Sequence, residues 1–306
     1  MASIKDVIKK PGYYIILFYG KLIPKTLKWD EKYLKKLYRY NMKKNLNIKN
    51  PQTFNEKLQW LKLHDRKDIY ITMVDKYEVK EYVKNIIGEE YIIPTIGVWD
   101  NFDDIDFDKL PNQFVLKCTH DSGGLVIVTD KEKFDKDKAR KKINHCLKRK
   151  YYLNTREWPY KNVKPRIIAE KYMVDESGYE LKDYKLMCFD GKVELSFVCS
   201  NRNSRDGLCV NFYDKEWQPM PFIRKYPRNK VEIMKPKGYN EMVKLSEKLS
   251  KNIPFVRVDF YQVKEKIYFG ELTFYPGSGM EWFKPEEWDY KIGKLLKLFN
   301  GGDQCE

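Results

Sequence analysis

The chain has 306 residues, of which 42% are hydrophobic and 15% aromatic, and this is enough apolar material for one large domain or two smaller ones. The composition excludes an intrinsically disordered chain, and no apolar run approaches the length that would cross a membrane. The net charge of +15 is concentrated at one end, because residues 1–50 contain 13 basic and only 3 acidic side chains.

This basic region, residues 1–50, is predicted to form a helical arm, since apolar residues such as Tyr33, Leu34 and Leu37 recur among the lysines. Concentrated positive charge attracts polyanions, and we expect contact with an anionic polysaccharide or the membrane surface but not with nucleic acid. A solvated basic surface is an equally good interpretation. The start of the chain lacks a secretory signal pattern, which predicts a cytoplasmic protein, either free or peripheral at the inner face of the membrane.

The region from residue 51 to 112 is predicted to be mainly helical. Thr53 and Glu56 form a capping box, and a helix with one apolar face should follow it. A second helical run is expected from Asp68 to Lys84. The short apolar segment Tyr91–Pro94 predicts a strand.

From residue 113 onward the sequence predicts strands flanked by helices, with a hairpin turn at Asp190-Gly191. The predicted strands cover residues 113–118, 125–128, 166–173, 181–200, 208–213, 256–262 and 267–274, and the predicted helices cover residues 135–150, 238–252 and 285–299. Strands that cluster with helices beside them indicate an α+β or mixed α/β fold. We divide this part into two subdomains, residues 113–175 and residues 176–306.

Several familiar catalytic signatures are absent from the sequence. The six cysteines and three histidines are too scattered to predict a zinc site, and neither a P-loop nor a dinucleotide-binding glycine motif occurs. Asp104, Asp106 and Asp108 match the DxD pattern of metal-dependent glycosyltransferases. An Asp-rich loop produces that pattern by chance, so it carries little weight.

A lysine followed by a glycine loop is the first feature that suits a nucleotide. Lys117 ends a predicted apolar strand, and the loop after it contains Ser122, Gly123 and Gly124. A buried lysine can neutralise phosphates while backbone N–H groups of such a loop surround them. A surface lysine before an ordinary turn is the plainer interpretation.

Two further strands carry charged residues at useful positions. Glu170, Lys171 and Tyr172 combine a carboxylate, a cation and an apolar wall, a setting that suits an adenine ring. Asp183 and Lys185 are two residues apart and share one face of a strand, where they can hold ribose hydroxyls and a phosphate. The alternatives are an edge strand of alternating polarity and a cross-strand ion pair.

The last pair of predicted strands carries acidic residues in apolar surroundings. Arg257 and Asp259 share one face of the first strand, and Glu271 and Thr273 share one face of the second. Buried carboxylates are costly unless they are paired or bind a metal, and paired carboxylates suit Mg²⁺. A structural network of arginine and carboxylates is the rival interpretation.

The order of these features resembles the ATP-grasp superfamily, whose carboxyl-terminal signature reads R-x-D followed by E-x-N-x-x-P-G. More narrowly, the chain is similar to the TupA-like ATP-grasp proteins of bacterial surface-polysaccharide gene clusters. Four segments carry this resemblance: Phe54-Asn-Glu-Lys-Leu58, Lys117-x-x-His-Asp-Ser-Gly-Gly124, Asp183-Tyr-Lys185 and Arg257-Val-Asp-Phe260. The chain departs from the superfamily at Thr273, where an asparagine metal ligand is usual.

The resemblance implies an ATP-grasp fold, in which two α+β subdomains hold ATP and Mg²⁺. It implies an ATP-dependent ligase that joins a carboxylate, here a sugar acid, to a small-molecule amine through an acylphosphate. In that scheme Arg257 and Lys185 are catalytic, and Asp259, Glu271 and Thr273 bind metal. The remaining candidates, Lys117, Ser122, Gly123, Gly124, Glu170, Lys171, Tyr172 and Asp183, bind the nucleotide. A glycosyltransferase and a non-catalytic nucleotide-binding scaffold are the alternatives.

Overall fold

The computed structural model describes residues 8–121, 123–178, 181–201 and 207–299. It shows a mixed α+β protein built around one four-stranded sheet, one five-stranded sheet and one two-stranded sheet, all of them antiparallel. Within these ranges, no helix is both long enough and apolar enough to cross a bilayer.

The helices begin near the amino terminus and then alternate with strands. Their bounds are α1 Pro11–Leu22, α2 Leu27–Met42, α3 Phe54–His64, α4 Ile69–Val74, α5 Glu78–Ile87, α6 Lys136–Leu147, α7 Tyr151–Thr155, α8 Tyr239–Leu249 and α9 Glu287–Leu295. The predicted capping box is confirmed, because the Thr53 hydroxyl accepts the Glu56 N–H and the Glu56 carboxylate accepts the Thr53 N–H.

The small sheet has the strand order β1-β4-β2-β3. Its strands are β1 Thr95–Trp99, β2 Phe114–Cys118, β3 Leu125–Val128 and β4 Ile167–Lys171. Phe114, Leu116 and Cys118 alternate along β2 and are buried in one apolar cluster with Ile143 of α6. The side chain of Lys117 therefore lies on the opposite face of the sheet from this core.

The large sheet has the order β10-β9-β5-β6-β7 and packs α3, α5 and α8 into the main core. Its strands are β5 Asp183–Phe189, β6 Lys192–Ser200, β7 Cys209–Asp214, β9 Phe255–Val263 and β10 Lys266–Thr273, while β8 Ile223–Arg224 and β11 Phe283–Lys284 form the two-stranded sheet. The hairpin at Asp190-Gly191 is confirmed, and both of its residues have positive φ.

Two predictions of local structure were wrong. The segment Tyr91–Pro94 is not a strand: it follows a short 3₁₀ turn, and pairing with β4 begins at Thr95, after a proline that has no N–H to donate. The helical run from Asp68 to Lys84 is split into α4 and α5. The break falls at Asp75, whose carboxylate accepts the backbone N–H of Tyr77 and thereby starts a new helix.

The basic amino-terminal region is helical as predicted, and α2 is joined to the body of the protein. Asp30 is completely buried and forms an ion pair of 2.8 Å with Arg156, while the Tyr152 hydroxyl donates to it at 2.6 Å. In turn, α1 packs closely on α2: a Cβ atom at Gly20 would lie 2.2 Å from the Tyr33 ring, so only glycine permits this approach.

Candidate active site

A cavity of about 510 Å³ lies where the small sheet faces the large one. We call it the cleft cavity. Strands β2, β3 and β4 line one side, and β5, β6 and β9 line the other. Five of the predicted nucleotide-binding residues line it together: Lys117, Glu170, Lys171, Tyr172 and Asp183. Ile93 and Tyr261, which are 168 positions apart in the chain, both line this cavity, and it also reaches Cys199.

The floor of the cleft cavity holds a buried carboxylate between two lysines. Glu170 is 5% exposed and forms ion pairs of 2.6 Å with Lys117 and 2.5 Å with Lys80. Burial alone would raise the pKa of Glu170, but the two lysines outweigh it and hold the pKa below its ordinary value. The Glu170 carboxylate is consequently ionised, and a ligand phosphate that entered the cavity would meet the ammonium group of Lys117, which lines it, whereas Lys80 pairs with Glu170 from outside the lining.

An apolar wall stands opposite these charges. Leu125 and Ile127 of β3 keep 38% and 54% of their surface exposed, and both line the cavity together with Met173 and Val174 beyond the end of β4. Exposed apolar side chains on a sheet face are unusual unless something covers them. A planar aromatic ring of a ligand, bound between β3 and the segment after β4, would cover them.

The glycine loop between β2 and β3 is only partly described. Ser122 lies outside the described residues, while Gly123 has a φ of 103° and the Gly124 carbonyl accepts the Cys118 N–H at 3.0 Å. The preceding Asp121 is 1% exposed and pairs with Arg149 at 3.0 Å. The first part of the loop, at Asp121, is therefore held in place close to Lys117 in the chain.

On the large sheet, a second group of charges lies on β5, β9 and β10. We call Lys185, Arg257, Asp259 and Glu271 the carboxylate cluster. Asp259 is 1% exposed, and Arg257 donates to its two oxygens at 2.6 Å each, while Lys185 also donates to it. Arg257 donates in addition to Glu271 at 3.0 Å.

The register of the strands explains this arrangement. Asp259 of β9 lies directly opposite Lys185 of β5 on one side and Glu271 of β10 on the other. A bulge at Gly270 shifts the pairing by one residue just before Glu271, and it is this shift that sets the two carboxylates side by side. The predicted proximity of Asp259 and Glu271 agrees with this register.

The two carboxylates differ in their surroundings. The Glu271 side chain is 42% exposed, whereas Asp259 is enclosed. Burial of its carboxyl would raise the pKa of Glu271, but nearby cations, above all Lys76, lower it to about 2. For Arg257 the directions are reversed: burial would lower the pKa of the guanidinium, but Asp259 and Glu271 raise it. The guanidinium therefore stays charged.

A divalent cation fits this donor set in part. In the described part of the chain, no group of three or more His, Cys, Asp or Glu side chains is arranged to hold a metal. Mg²⁺ commonly takes only one or two protein carboxylates and completes its shell with phosphate and water oxygens. Glu271 is ionised and accessible, Asp259 lies beside it, and Thr273 donates to Glu271 at 3.2 Å. Glu271 and Thr273 therefore suit Mg²⁺ that arrives with a phosphate ligand, whereas both oxygens of Asp259 already accept hydrogen bonds from Arg257 and Lys185.

The two groups of charges meet at Asp183. Its carboxylate lies 3.5 Å from Lys185 of the carboxylate cluster, and the residue also lines the cleft cavity beside Lys117. The structure thus joins the cavity-lining members of the predicted nucleotide set to the predicted metal set through Asp183 and Lys185, whereas Gly123 and Gly124 are not among the residues that line the cavity. Their individual roles stay predictions.

Sequence reasoning missed Lys76 and Lys80. Lys76 donates to the Asp121 carbonyl at 2.8 Å, and its charge is the strongest cationic influence on Glu271. Lys80 lies on α5 and pairs with Glu170 of β4. Lys80 lies within α5, where lysines normally face solvent, and Lys76 lies in the turn before α5, so the sequence offered no local signal for either contact.

Two solved structures resemble this chain at low similarity. D-alanine–D-alanine ligase from Bacillus anthracis complexed with ATP has a TM-score of 0.42 and 17% identity, over 74% of this chain and 65% of that one. An ATP-grasp RimK domain protein from Sphaerobacter thermophilus has a TM-score of 0.39 and 10% identity, over 74% of this chain and 67% of that one. At these scores the resemblance says nothing about what the chain binds.

The comparison of sequences is more decisive. No curated protein matches this chain at a significant level. The family model described as TupA-like ATPgrasp matches residues 56–297, which is most of the chain and includes both the cleft cavity and the carboxylate cluster. The chain therefore belongs to the TupA-like ATP-grasp family.

Proposed function

We propose that this protein is an ATP-dependent ligase that joins a carboxylate to an amine. The observation that carries the proposal is the meeting, at Asp183, of a lysine-lined cavity and the carboxylate cluster. A cavity with an apolar wall and ammonium groups suits a nucleoside triphosphate, and the adjoining cluster suits its terminal phosphates. ATP binding is also what the family membership leads us to expect.

Within this proposal the nucleotide lies in the cleft cavity. Its adenine ring packs against Leu125 and Ile127, with Lys171 and Tyr172 at the rim of the ring pocket. Asp183 accepts hydrogen bonds from the ribose. Lys117 turns from Glu170 to the phosphates, which costs little because Lys80 continues to pair with Glu170.

The carboxylate cluster would act on the terminal phosphates. Asp259, Glu271 and Thr273 would hold Mg²⁺, which neutralises charge on the β- and γ-phosphates when it is bound. Arg257 and Lys185 stay charged under all ordinary conditions, and they would stabilise the negative charge that develops on the transferred phosphoryl group. Since Arg257 is held by two carboxylates, its position is fixed before the substrate arrives.

The chemistry proceeds in two balanced steps. A carboxylate oxygen of the first substrate attacks the γ-phosphorus, the bond to the β-phosphate oxygen breaks, and ADP leaves. The amine nitrogen then attacks the carbonyl carbon of the acylphosphate, phosphate leaves with the bonding electron pair, and the nitrogen loses a proton. The products are an amide, ADP and phosphate.

We further propose that the carboxylate belongs to a sugar acid used in capsule or cell-surface polysaccharide synthesis. The support is the setting of the family in bacterial surface-polysaccharide gene clusters. A uronic acid, free, nucleotide-linked or polymeric, is the corresponding substrate class, and the amine is a small molecule. The basic amino-terminal region is consistent with an anionic polymer as the acceptor.

A screen of ADP release tests the proposal. The protein is incubated with ATP, Mg²⁺ and pairs drawn from a panel of uronic acids and amines, and ADP is measured by a coupled assay. We expect release that needs both substrates and that is strongly reduced in the Lys117→Met variant at ATP concentrations below saturation. The matched control is Lys133→Met, since Lys133 is 85% exposed and is not among the residues that line the cavity. Hydrolysis of a nucleotide-sugar without any use of ATP would overturn the ligase and favour a glycosyltransferase.

A further inference from the structure

Helix α1 is apolar on both of its faces. On one face Tyr13 and Ile16 pack against the core of α2, and Gly20 touches Tyr33. On the other face Ile15 and Leu22 are each 69% exposed and Phe18 is 63% exposed. A helix that is apolar all round is normally covered on all sides, so the outer face of α1 requires a partner.

The exposed residues form one continuous stripe. Ile15, Phe18 and Leu22 are spaced by three and four positions, which places them on one line along the helix. Ile8, which precedes the helix, is 72% exposed as well. The helix has 12 residues, about 18 Å at 1.5 Å per residue, so it is suited to lie in a membrane interface and too short to cross a bilayer.

The charge around this stripe is of one sign. Between residues 7 and 29 the chain contains no Asp or Glu and has five lysines: Lys9, Lys10, Lys21, Lys25 and Lys28. Lys25 donates to the carbonyl groups at the end of α1 and so caps the helix, while the other four are exposed. An apolar face bordered by lysines and half-buried tyrosines is the pattern of a helix that rests on anionic lipid.

A second copy of the chain is a poorer partner for this face. A two-fold contact brings the same surface of each copy together, so the lysines of one copy would face the lysines of the other. Like charges placed opposite each other oppose such an association, whereas anionic headgroups remove the repulsion.

We propose that α1 docks the protein on an anionic membrane surface, with Ile15, Phe18 and Leu22 inserted at the boundary between headgroups and acyl chains. The docking helix is firmly attached to the enzyme. The Gly20 carbonyl of α1 accepts a hydrogen bond of 2.5 Å from Arg156, which is itself paired with Asp30 of α2. Membrane contact therefore fixes the orientation of the whole molecule rather than of a loose tail.

Vesicle co-sedimentation of the full chain tests this proposal. We use phosphatidylcholine vesicles with and without phosphatidylglycerol, and expect binding only when the anionic lipid is present and less of it at high salt. A triple variant that carries Ile15→Ser, Phe18→Ser and Leu22→Ser should bind at least about tenfold more weakly. Its matched control combines Val231→Ser and Met234→Ser, since these residues are 70% and 86% exposed elsewhere, and should bind like the wild type.

A charge series separates the apolar and the electrostatic contributions. Four exposed lysines border the apolar stripe of α1: Lys9, Lys10, Lys21 and Lys28. Replacing all four with glutamine should abolish the preference for anionic vesicles. The control replaces four exposed lysines elsewhere with glutamine: Lys109, Lys133, Lys215 and Lys237. This control variant should keep the preference for anionic vesicles. If both variants lost the preference for anionic vesicles equally, only the total charge of the protein would matter, and the assignment of the docking surface to α1 would be overturned.

The remaining outcomes also decide the matter. Wild-type protein that does not bind anionic vesicles overturns the proposal. A dimer in sedimentation velocity that the triple serine variant converts to a monomer, without vesicle binding, assigns the face to a second copy instead. Because the serines replace exposed side chains, the melting temperature of the variant should match that of the wild type, and ADP release with soluble substrates should be unchanged. That last readout separates failure of the docking proposal from failure of the ligase proposal.

Discussion

Two buried aspartates in this protein are each held by an arginine, yet their surroundings differ. Asp30 pairs with Arg156, and neither side chain has any exposed surface. Asp259 pairs with Arg257 just as closely, but the neighbouring Glu271 keeps 42% of its side chain exposed. The Asp30–Arg156 pair is closed to solvent, whereas the carboxylate cluster is open to solvent at Glu271.

The difference teaches how a structural ion network can be told from a candidate catalytic one. Asp30 lies on α2, and its partners are Arg66 just after α3, Tyr152 of α7 and Arg156 just after α7, so the contacts join α2 to the body. Around Asp259 the partners come from neighbouring strands of one sheet. Backbone pairing already holds these strands together, so the ion pairs are not needed to join them. Charges that are not required to hold elements together, and that border a cavity, are the better candidates for chemistry.

The largest effect is expected from Asp259→Asn. Loss of this carboxylate should lower turnover by about three orders of magnitude, because charge at the transferring phosphoryl group is no longer balanced. The measurement is ADP release per folded molecule, with Glu265→Gln as the control, since Glu265 is an 85% exposed carboxylate on the same hairpin. If the folded fraction of the variant kept its turnover, the carboxylate cluster would have only a structural role.

Asp30→Asn should produce the opposite pattern. The substitution leaves Arg156 buried without a charged partner, and the free energy of unfolding should fall by about 3 kcal/mol. Urea unfolding measures this, and Asp106→Asn, at an exposed carboxylate, is the control. Nucleotide affinity of the folded variant should not change. A loss of ATP binding without a loss of stability would contradict the distinction between the two networks.

A smaller effect is expected from Lys117→Met. The variant should bind ATP more weakly by about 2 kcal/mol, because one charge-assisted contact to the phosphates is lost while Lys80 continues to pair with Glu170. Titration calorimetry measures the affinity, and Lys133→Met should match the wild type. Unchanged affinity for ATP would show that Lys117 is only the structural partner of Glu170.

The smallest effect concerns acid stability. The pKa of Glu271 falls from an ordinary 4.5 to about 2 on folding, so its contribution to stability is complete above pH 4.5 and is lost as the pH falls toward 2. We expect the melting temperature of Glu271→Gln to fall less steeply than that of the wild type over this window. Parallel curves for the two proteins would show that the surrounding cations do not stabilise the ionised carboxylate.

Local patterns in the sequence predicted much of the fold and of the candidate site. The capping box at Thr53 and the hairpin at Asp190-Gly191 depend on neighbouring residues, and both are present. The proximity of Asp259 and Glu271 followed from strand alternation across a short turn. Each of these inferences uses a periodicity or a turn preference that acts over a few residues.

Contacts between distant segments escaped prediction. Nothing near Lys80 in the sequence shows that it reaches Glu170, 90 positions away, and nothing near Asp30 indicates a partner at Arg156. The break at Asp75 was missed because its carboxylate competes locally with a helical pattern that otherwise continues. Pairing of buried charges is decided by tertiary packing, which a single sequence does not display.

The most direct test of the account is calorimetric titration of ATP, with and without Mg²⁺, into the wild type, Asp259→Asn and Asp30→Asn. We expect the wild type to bind ATP more tightly with Mg²⁺, Asp30→Asn to bind ATP as the wild type does, and Asp259→Asn to lose the dependence on Mg²⁺. Absence of ATP binding by the wild type, or Mg²⁺ dependence that survives in Asp259→Asn, would contradict the proposal that the carboxylate cluster is the open, ligand-binding network of the two.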